Sequence, residues 1–382
     1  MSGLYFHFPF CNSKCIYCGF YSIASLSLKN KFIQTLQKEI LLKSNIPIDL
    51  PIQTIYFGGG TPSLFSIEEL QTILNSLSNH FDLHSLKEFT METNPEQCSL
   101  EYLSALKKMG INRLSIGIQS FDPEILTYLG RKHSKEQALL AIENAKNAGF
   151  ENISIDLIYG IPLRSSEVWK YELKLAFQQP ITHLSAYSLT VEENSLLLKA
   201  LQKKEGTIYK VGKDQDDEKA YSDLDFLLKD AEKFGFEQYE VSNFAKPGFQ
   251  SIHNSNYWNG TPYLGFGPSA HSFFDQTRSW NESNLNKYIT AIESGIPFAG
   301  KEELTLFDRF NEAVMLGLRT KNGVDLFMIE KKYGIAFKQH LLHIFQTLPS
   351  EFYSFTENRF VLTQKGLNIS DHIIEKMIWT ED

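Results

Sequence analysis

Two rhythms of hydrophobic and polar positions run through the first half of the chain. Short runs rich in β-branched and aromatic residues stand at "LYFHF" (4–8), "TIYF" (54–57), "EFTME" (88–92), "RLSIGI" (113–118), "ISIDLI" (153–158) and "HLSAYSL" (183–189), and each predicts a strand. Between them apolar residues recur at helical spacing, in "KFIQTLQKEILL", "SIEELQTILNSLSNHF", "SLEYLSALKKMG", "SKEQALLAIENAKNAGF" and "SSEVWKYELKLAFQQ". Gly110 and Gly149 follow two of these helices, where a left-handed C-cap is wanted. Strands alternating with helices imply parallel βαβ units. Six such units fit a partial (β/α) barrel or an open doubly wound sheet.

Residues that a purely structural strand does not need choose between the two. At or just past the strand ends come the cysteines of "CNSKCIYC", the turn "FGGGTPS", Glu92 with Asn94 and Pro95, Gln119, Asp156, and Tyr187 with Ser188. A barrel gathers its strand C-termini around one axis, so these positions would face one cavity, whereas an open sheet would string them along a line. The expected fold is therefore α/β, a partial (β/α)6 barrel over residues 1–235. Within it, "KKEGTIYKVGKDQDDEKA" predicts a charged loop and "AYSDLDFLLKDAEKFGF" a helix. Residues 236–300, rich in aromatics, Gly, Asn and Pro, read as an irregular binding segment. Residues 301–382 read as mainly helical, with a hairpin from "FYSF" and "RFVLT" that gives a winged-helix-like outline.

Such outlines often bind nucleic acid, but residues 301–382 carry 10 Lys+Arg against 12 Asp+Glu, so packing against the barrel is the expected role. The whole chain of 382 residues has a formal net charge of −8, which argues against backbone-driven nucleic-acid binding. No apolar run is long enough to span a bilayer, and "MSGLYFHFPF" lacks a charged leader and a cleavage site, so a cytoplasmic protein is expected. Of four cysteines, three are crowded at Cys11, Cys15 and Cys18. Three neighbours cannot pair among themselves, so reduced thiolates fit better than disulfides. Cys98 stands alone and reads as a plain thiol.

Three close thiolates suit zinc or an iron–sulfur cluster. A structural zinc wants four ligands, and His7 or another side chain would have to complete the set; the reading that follows is a zinc-stabilised binding module. A four-iron cluster on three cysteines leaves one iron free of protein ligands, able to bind a small molecule and pass it an electron.

The segment "CNSKCIYC" resembles the cluster motif of the radical S-adenosylmethionine (SAM) superfamily. In that superfamily the open iron of a [4Fe-4S] cluster chelates SAM, and its reductive cleavage yields a 5′-deoxyadenosyl radical. Most of the chain is similar to the oxygen-independent coproporphyrinogen III oxidase-like family. The similarity lies in "LYFHFPFCNSKCIYCGF", "FGGGTPS", "ETNPE", "RLSIGIQSFD", "LGRKHS" and "SIDLIYGIP", while "FGPSAHS" and "MLGLRTKNGVDL" resemble the heme chaperones related to it. The resemblance implies that Cys11, Cys15 and Cys18 hold the cluster and that Gly59, Gly60 and Thr61 cradle the methionine end of SAM. Glu92 would take the SAM ammonium group. Tyr5, Tyr17, Gln119, Arg131 and Asp156 match further SAM contacts, four of them (all but Tyr5) at a second SAM molecule. Ser188 and His271 fall in segments matching other cofactor contacts. "HNSNYW" matches a motif associated with heme, which implies His253 as an axial ligand with Tyr257 and Trp258 packing on the porphyrin.

Two departures separate oxidase from chaperone. The oxidase motif ends in a further cysteine where this chain has Phe20, and Cys11 leaves no room for the N-terminal extension of the oxidases. The resemblance thus implies a heme chaperone without oxidase activity, which passes heme to acceptor proteins, among them respiratory proteins at the inner face of the membrane. It leaves open a homodimer. The alternative is a true oxidase, decarboxylating two propionates of coproporphyrinogen III.

Overall fold

The computed structural model describes residues 2–46, 50–193, 195–203 and 217–380. Strands β1 (Ser2–Phe8), β2 (Ile52–Gly59), β3 (Glu88–Thr93), β4 (Arg113–Gln119), β5 (Asn152–Tyr159) and β6 (His183–Ser188) pair in parallel in chain order. The helices between them are α1 (Lys29–Lys43), α2 (Ile67–His80), α3 (Leu100–Lys108), α4 (Pro123–Leu129), α5 (Lys135–Asn147) and α6 (Ser166–Phe177). Their starts are written locally. Ser66 with Glu69 and Ser134 with Gln137 form capping boxes, and Ser99 and Ser165 cap α3 and α6. Gly110 (φ +94°) and Gly149 (φ +87°) follow α3 and α5 in the left-handed region.

Buried parallel strands usually read as unbroken apolar runs. These alternate, because their two faces meet different surroundings. On the outer face Leu4, Phe6, Ile55, Phe57, Met91, Ile116 and Ile155 are completely buried against the helices. The inner face carries Tyr5, Thr54, Tyr56, Glu88, Glu92, Arg113, Ser115, Asp156, His183 and Ser185. Polar neighbours on that face bond across strands: Ser115 donates to Asp156 at 3.1 Å, and Ser154 and His183 Nδ1 lie 2.7 Å apart. The barrel interior is therefore polar instead of a packed aliphatic core.

Residues 236–300, expected to be irregular, lengthen the sheet at both ends. Beside β6 lies the antiparallel pair β7 (Glu237–Glu240) and β8 (Asn243–Ala245). Beside β1 lies β9 (Tyr263–Phe266), parallel to it, followed by β10 (His271–Phe274), β11 (Thr277–Trp280) and β12 (Gly300–Glu303). The result is one open sheet of twelve strands running from β12 to β7. The intervening helices are α7 (Leu196–Lys203), α8 (Asp217–Lys233), α9 (Ile252–Trp258) and α10 (Leu285–Glu293). Most of the expected charged loop lies outside the described residues.

A buried polar knot ties the added strands to the barrel. Lys43 Nζ reaches Glu39 at 2.7 Å, Asn281 Oδ1 at 2.9 Å and the Gly265 carbonyl at 2.6 Å, while Asn281 and Tyr288 both donate to Glu39. Such a buried ion pair is tolerable only because its hydrogen-bonding groups are matched, and losing one partner strands the other.

The C-terminal part has a core of its own, built on Phe310, Val314, Leu318, Leu326, Leu341 and Phe360. It comprises α11 (Leu306–Leu318), β13 (Val324–Asp325), α12 (Leu326–Tyr333), α13 (Ile335–Phe345), β14 (Tyr353–Thr356), β15 (Arg359–Leu362), α14 (Gln364–Leu367) and α15 (Ser370–Met377). The expected hairpin is present, turning at Glu357 and Asn358 with φ of +50° and +63°. Backbone bonds from Val241 to Arg319 (3.0 Å) and from Lys321 to Tyr239 (3.0 Å) join this part to the β7–β8 edge.

Candidate functional site

At the C-terminal ends of β1 to β6 lies a cavity of about 1360 Å³. Cys11, Cys15, Cys18, Tyr17, Gly59, Gly60, Thr61, Glu92, Gln119, Arg131, Asp156 and Ser188 all line it, joined by Arg319 and Asp371 of the C-terminal part.

The thiol loop follows β1 without regular structure, so backbone bonds pin it. Cys11 N–H donates to Ile23 O (3.0 Å), Ile23 N–H to Pro9 O (2.7 Å), and Ile16 N–H to Leu129 O (3.3 Å). The Thr61 hydroxyl lies 3.6 Å from Cys11 Sγ and Arg131 Nη1 lies 3.7 Å from Cys15 Sγ. Burial pushes the Cys11 thiol up and the Cys18 thiol up to about 11, so these sulfurs hold their protons until a metal displaces them. Among the described residues no three such donors are arranged to hold a single metal ion, as a zinc site would need. A multi-iron cluster asks for something else, one thiolate at each of three irons, and three half-buried sulfurs on one wall suit it.

The glycine turn beside it is built by close approach. A Cβ on Gly59, whose φ is +102°, would stand 2.5 Å from the His7 ring, and one on Gly60 would stand 2.6 Å from the Phe8 carbonyl. The sequence suggests that the amides of this turn face a charged ligand. They are instead used within the protein: Gly59 N–H donates to Glu92 Oε2 (3.0 Å), Gly60 N–H to Phe8 O (2.8 Å) and Thr61 N–H to Phe10 O (2.7 Å). The turn borders the cavity, and its Gly59 amide holds Glu92.

Glu92 has two anchors, the Gly59 amide and the Tyr56 hydroxyl, which donates to Oε1 at 2.7 Å. Burial raises its carboxyl to about 7, against the pull of those two bonds. Asp156 is likewise raised by burial, and the Ser115 hydroxyl supports its ionised form. Arg131 Nη2 donates to Asn94 Oδ1 (2.7 Å) and to the Gly117 carbonyl (2.6 Å), and its Nε lacks a partner. Gln119 sits at a bulge in β4 with φ +71°, a conformation that costs energy and clusters at functional sites. Two inward carboxylates, a guanidinium and three thiols thus share one chamber, a set suited to a zwitterionic, hydroxyl-bearing ligand beside a cluster.

Five residues expected at ligands lie outside the lining of this cavity. Tyr5 points inward below the cavity, its hydroxyl 3.0 Å from His7 Nδ1. His271 stands on β10, exposed, with its ring beside Trp280. His253 is buried beside the inner faces of β1 and β2: Nδ1 lies 2.8 Å from Thr54 Oγ1 and Nε2 lies 2.9 Å from the Tyr257 hydroxyl. Burial, with Arg113 nearby, lowers this imidazole to about 3, so it is neutral. The Tyr257 ring meets the Tyr263 and His253 rings edge-on, and the Trp258 indole N–H is unpaired. Sequence reasoning missed Tyr56, Ser115 and Glu88. Glu88 lies four residues before Glu92 on β3 and Ser115 four before Gln119 on β4, so a period of two would have placed both on the inner face, whereas on β2 the residue singled out, Gly59, stands three from Tyr56 and gives no such guide.

A thiol loop after the first strand, beside a glycine turn and sharing one chamber with inward carboxylates, defines a radical SAM protein. Residues 5–171 match the radical SAM superfamily, whose cofactors are a [4Fe-4S] cluster and SAM, and residues 304–369 match the HemN C-terminal domain. The chain is 35% identical over 341 residues to the heme chaperone HemW of Bacillus subtilis, covering 87% of each protein. It is 32% identical over 379 residues to HemW of Lactococcus lactis, covering 99% of this chain and 97% of that one. In fold it matches the coproporphyrinogen III oxidase HemN of Escherichia coli with a TM-score of 0.82 at 22% identity, over 99% of this chain and 90% of the other. The chain belongs to the HemW family of the radical SAM superfamily.

Proposed function

We propose that the protein is a heme chaperone that binds heme and passes it to acceptor proteins. The similarity to proteins named heme chaperones, which runs through nearly all of both chains, carries this reading. Phe20 supports it, two-thirds exposed at the mouth of the cavity where the oxidase motif has a further cysteine. Cys11, Cys15 and Cys18 would hold the cluster, which supplies an electron to SAM when both are bound. Glu92, Asp156 and Arg131 would orient the cofactor through its ammonium, hydroxyl and carboxylate groups. His253, Tyr257 and Trp258 would engage heme, its neutral imidazole being the ligating form.

Membrane respiratory proteins are the proposed acceptors, and a homodimer is compatible with the reading. No helix among the described residues is long and apolar enough to cross a membrane. The test is a side-by-side anaerobic assay of the cluster-loaded protein. Heme should move to an apo-acceptor and coproporphyrinogen III should remain unchanged. Decarboxylation of that porphyrinogen, or rescue of a heme-deficient strain, would overturn the chaperone reading in favour of the oxidase.

A further inference from the structure

Two of the three clustered thiols are joined by a belt of polar side chains on the cavity wall. Asn94 stands two residues beyond Glu92, and both line the chamber. Its amide nitrogen donates to Thr61 Oγ1 (3.1 Å), and its amide oxygen accepts from Arg131 Nη2 (2.7 Å). The Thr61 hydroxyl in turn donates to Cys11 Sγ (3.6 Å), and Arg131 Nη1 donates to Cys15 Sγ (3.7 Å). The belt thus runs from Cys11 through Thr61, Asn94 and Arg131 to Cys15 without a break. Gly117 leaves space for it, since a Cβ there would stand 3.3 Å from Asn94 Oδ1, and the Gly117 carbonyl fixes Arg131 at 2.6 Å.

Every bond in the belt has a fixed sense. A guanidinium can only donate, so the amide oxygen of Asn94 must face it and the amide nitrogen must face Thr61. The reverse orientation would set N–H groups against each other. With its oxygen receiving the Asn94 N–H, the Thr61 hydroxyl has its own hydrogen left for Cys11. We propose that Asn94 is a positioning residue: set by Arg131, it aims the Thr61 hydroxyl at Cys11, so that donors sit on two of the three cluster sulfurs and the cluster is easier to reduce. The inference rests on the reading of Cys11, Cys15 and Cys18 as the cluster ligands.

The direction follows from charge. A ligating cysteine is a thiolate, which only accepts hydrogen bonds. Reduction adds one negative charge, shared with the sulfurs, and a donor or a cation beside a sulfur favours that more negative form. Thr61 is buried, and valine has its shape, so Thr61→Val removes the donor and leaves no room for a water in its place.

Potentiometric titration of the cluster-loaded full chain without SAM tests this, with dithionite supplying the single electron and the paramagnetic signal of the reduced cluster as the readout. In Thr61→Val the equilibrium should shift about tenfold against reduction, a midpoint lower by about 59 mV, and Thr61→Ser should keep the native value. Asn94→Asp should lower the midpoint at least as far, because its carboxylate draws the hydroxyl hydrogen away from Cys11 and adds a negative charge. In a Thr61→Val background the shift from Asn94→Asp should be smaller, since only the charge then acts. An unchanged midpoint in Thr61→Val, a Thr61→Ser midpoint as low as that of Thr61→Val, or an Asn94→Asp shift equal in both backgrounds would overturn the inference. A native chain that takes up no four-iron cluster, by iron and sulfide content, would instead remove the reading of the three cysteines, and the inference with it.

Discussion

At the scale of single residues, Glu92 is the most informative. Its carboxyl ionises near pH 7 because burial outweighs the bonds from Tyr56 and Gly59, with Asp156 repelling and Arg113 attracting its charge. Under the proposed function the cofactor's ammonium pairs with this carboxylate. Binding on that pairing has to draw off a proton below that value, and affinity for SAM should fall about fivefold from pH 7 to 6 and approach tenfold per unit below that. Calorimetric titration over that range checks it, and a flat profile would exclude Glu92 as the partner. The sign for folding is the opposite of the usual carboxylate case. A raised folded-state value means that Glu92 costs stability as pH rises from about 4.5 to 7, so Glu92→Gln should narrow that loss in chemical denaturation. The thiols were legible because their spacing is an unusual local pattern. Tyr56 and Glu88 were not, because a strand-interior tyrosine and glutamate look alike whether they face solvent or a polar chamber.

At the scale of elements, the strands and all the helices of the first half but α4 declared themselves through period and caps. The short strands β7 to β12 did not. With three or four residues each and Gly, Asn and Pro around them, they carry too little pattern to separate a strand from a loop; pairing with the long strands makes them. The turn after β2 shows how strongly an element can be tied to its surroundings. Gly59→Ala adds a methyl group against His7 at φ +102°, so it should both lower stability and displace Glu92. Expected are a lower midpoint on urea unfolding and weakened SAM binding, while Gly295→Ala, also at positive φ but with open space around it, should show only the conformational cost. For α2, Ser66→Ala should cost about 1 kcal/mol by opening the capping box, read by the same denaturation curve.

At the scale of the whole molecule the described residues form three apolar clusters: one under the barrel strands, one in the C-terminal part joined to it across the β7–β8 edge, and a smaller one around Ile16, Ile125, Leu129 and Ile161. Leu341 is completely buried in the second, so Leu341→Ala should cost about 2–5 kcal/mol there. Hydrogen exchange should show the loss in α11 to α15 and leave β1 to β6 protected; equal loss in both would mean that the parts unfold as one. The sequence led to the expectation that residues 301–382 pack against the barrel, but not to the edge that receives them, since the backbone bonds between Val241 and Arg319 and between Lys321 and Tyr239 leave no trace in residue type. The alternating faces of the central strands reach furthest. Because the letters that hold the scaffold and the letters that meet the guest occupy separate, interleaved positions, a lineage can exchange one chemistry for another by rewriting every second letter of six short words, and the framework around them need not notice.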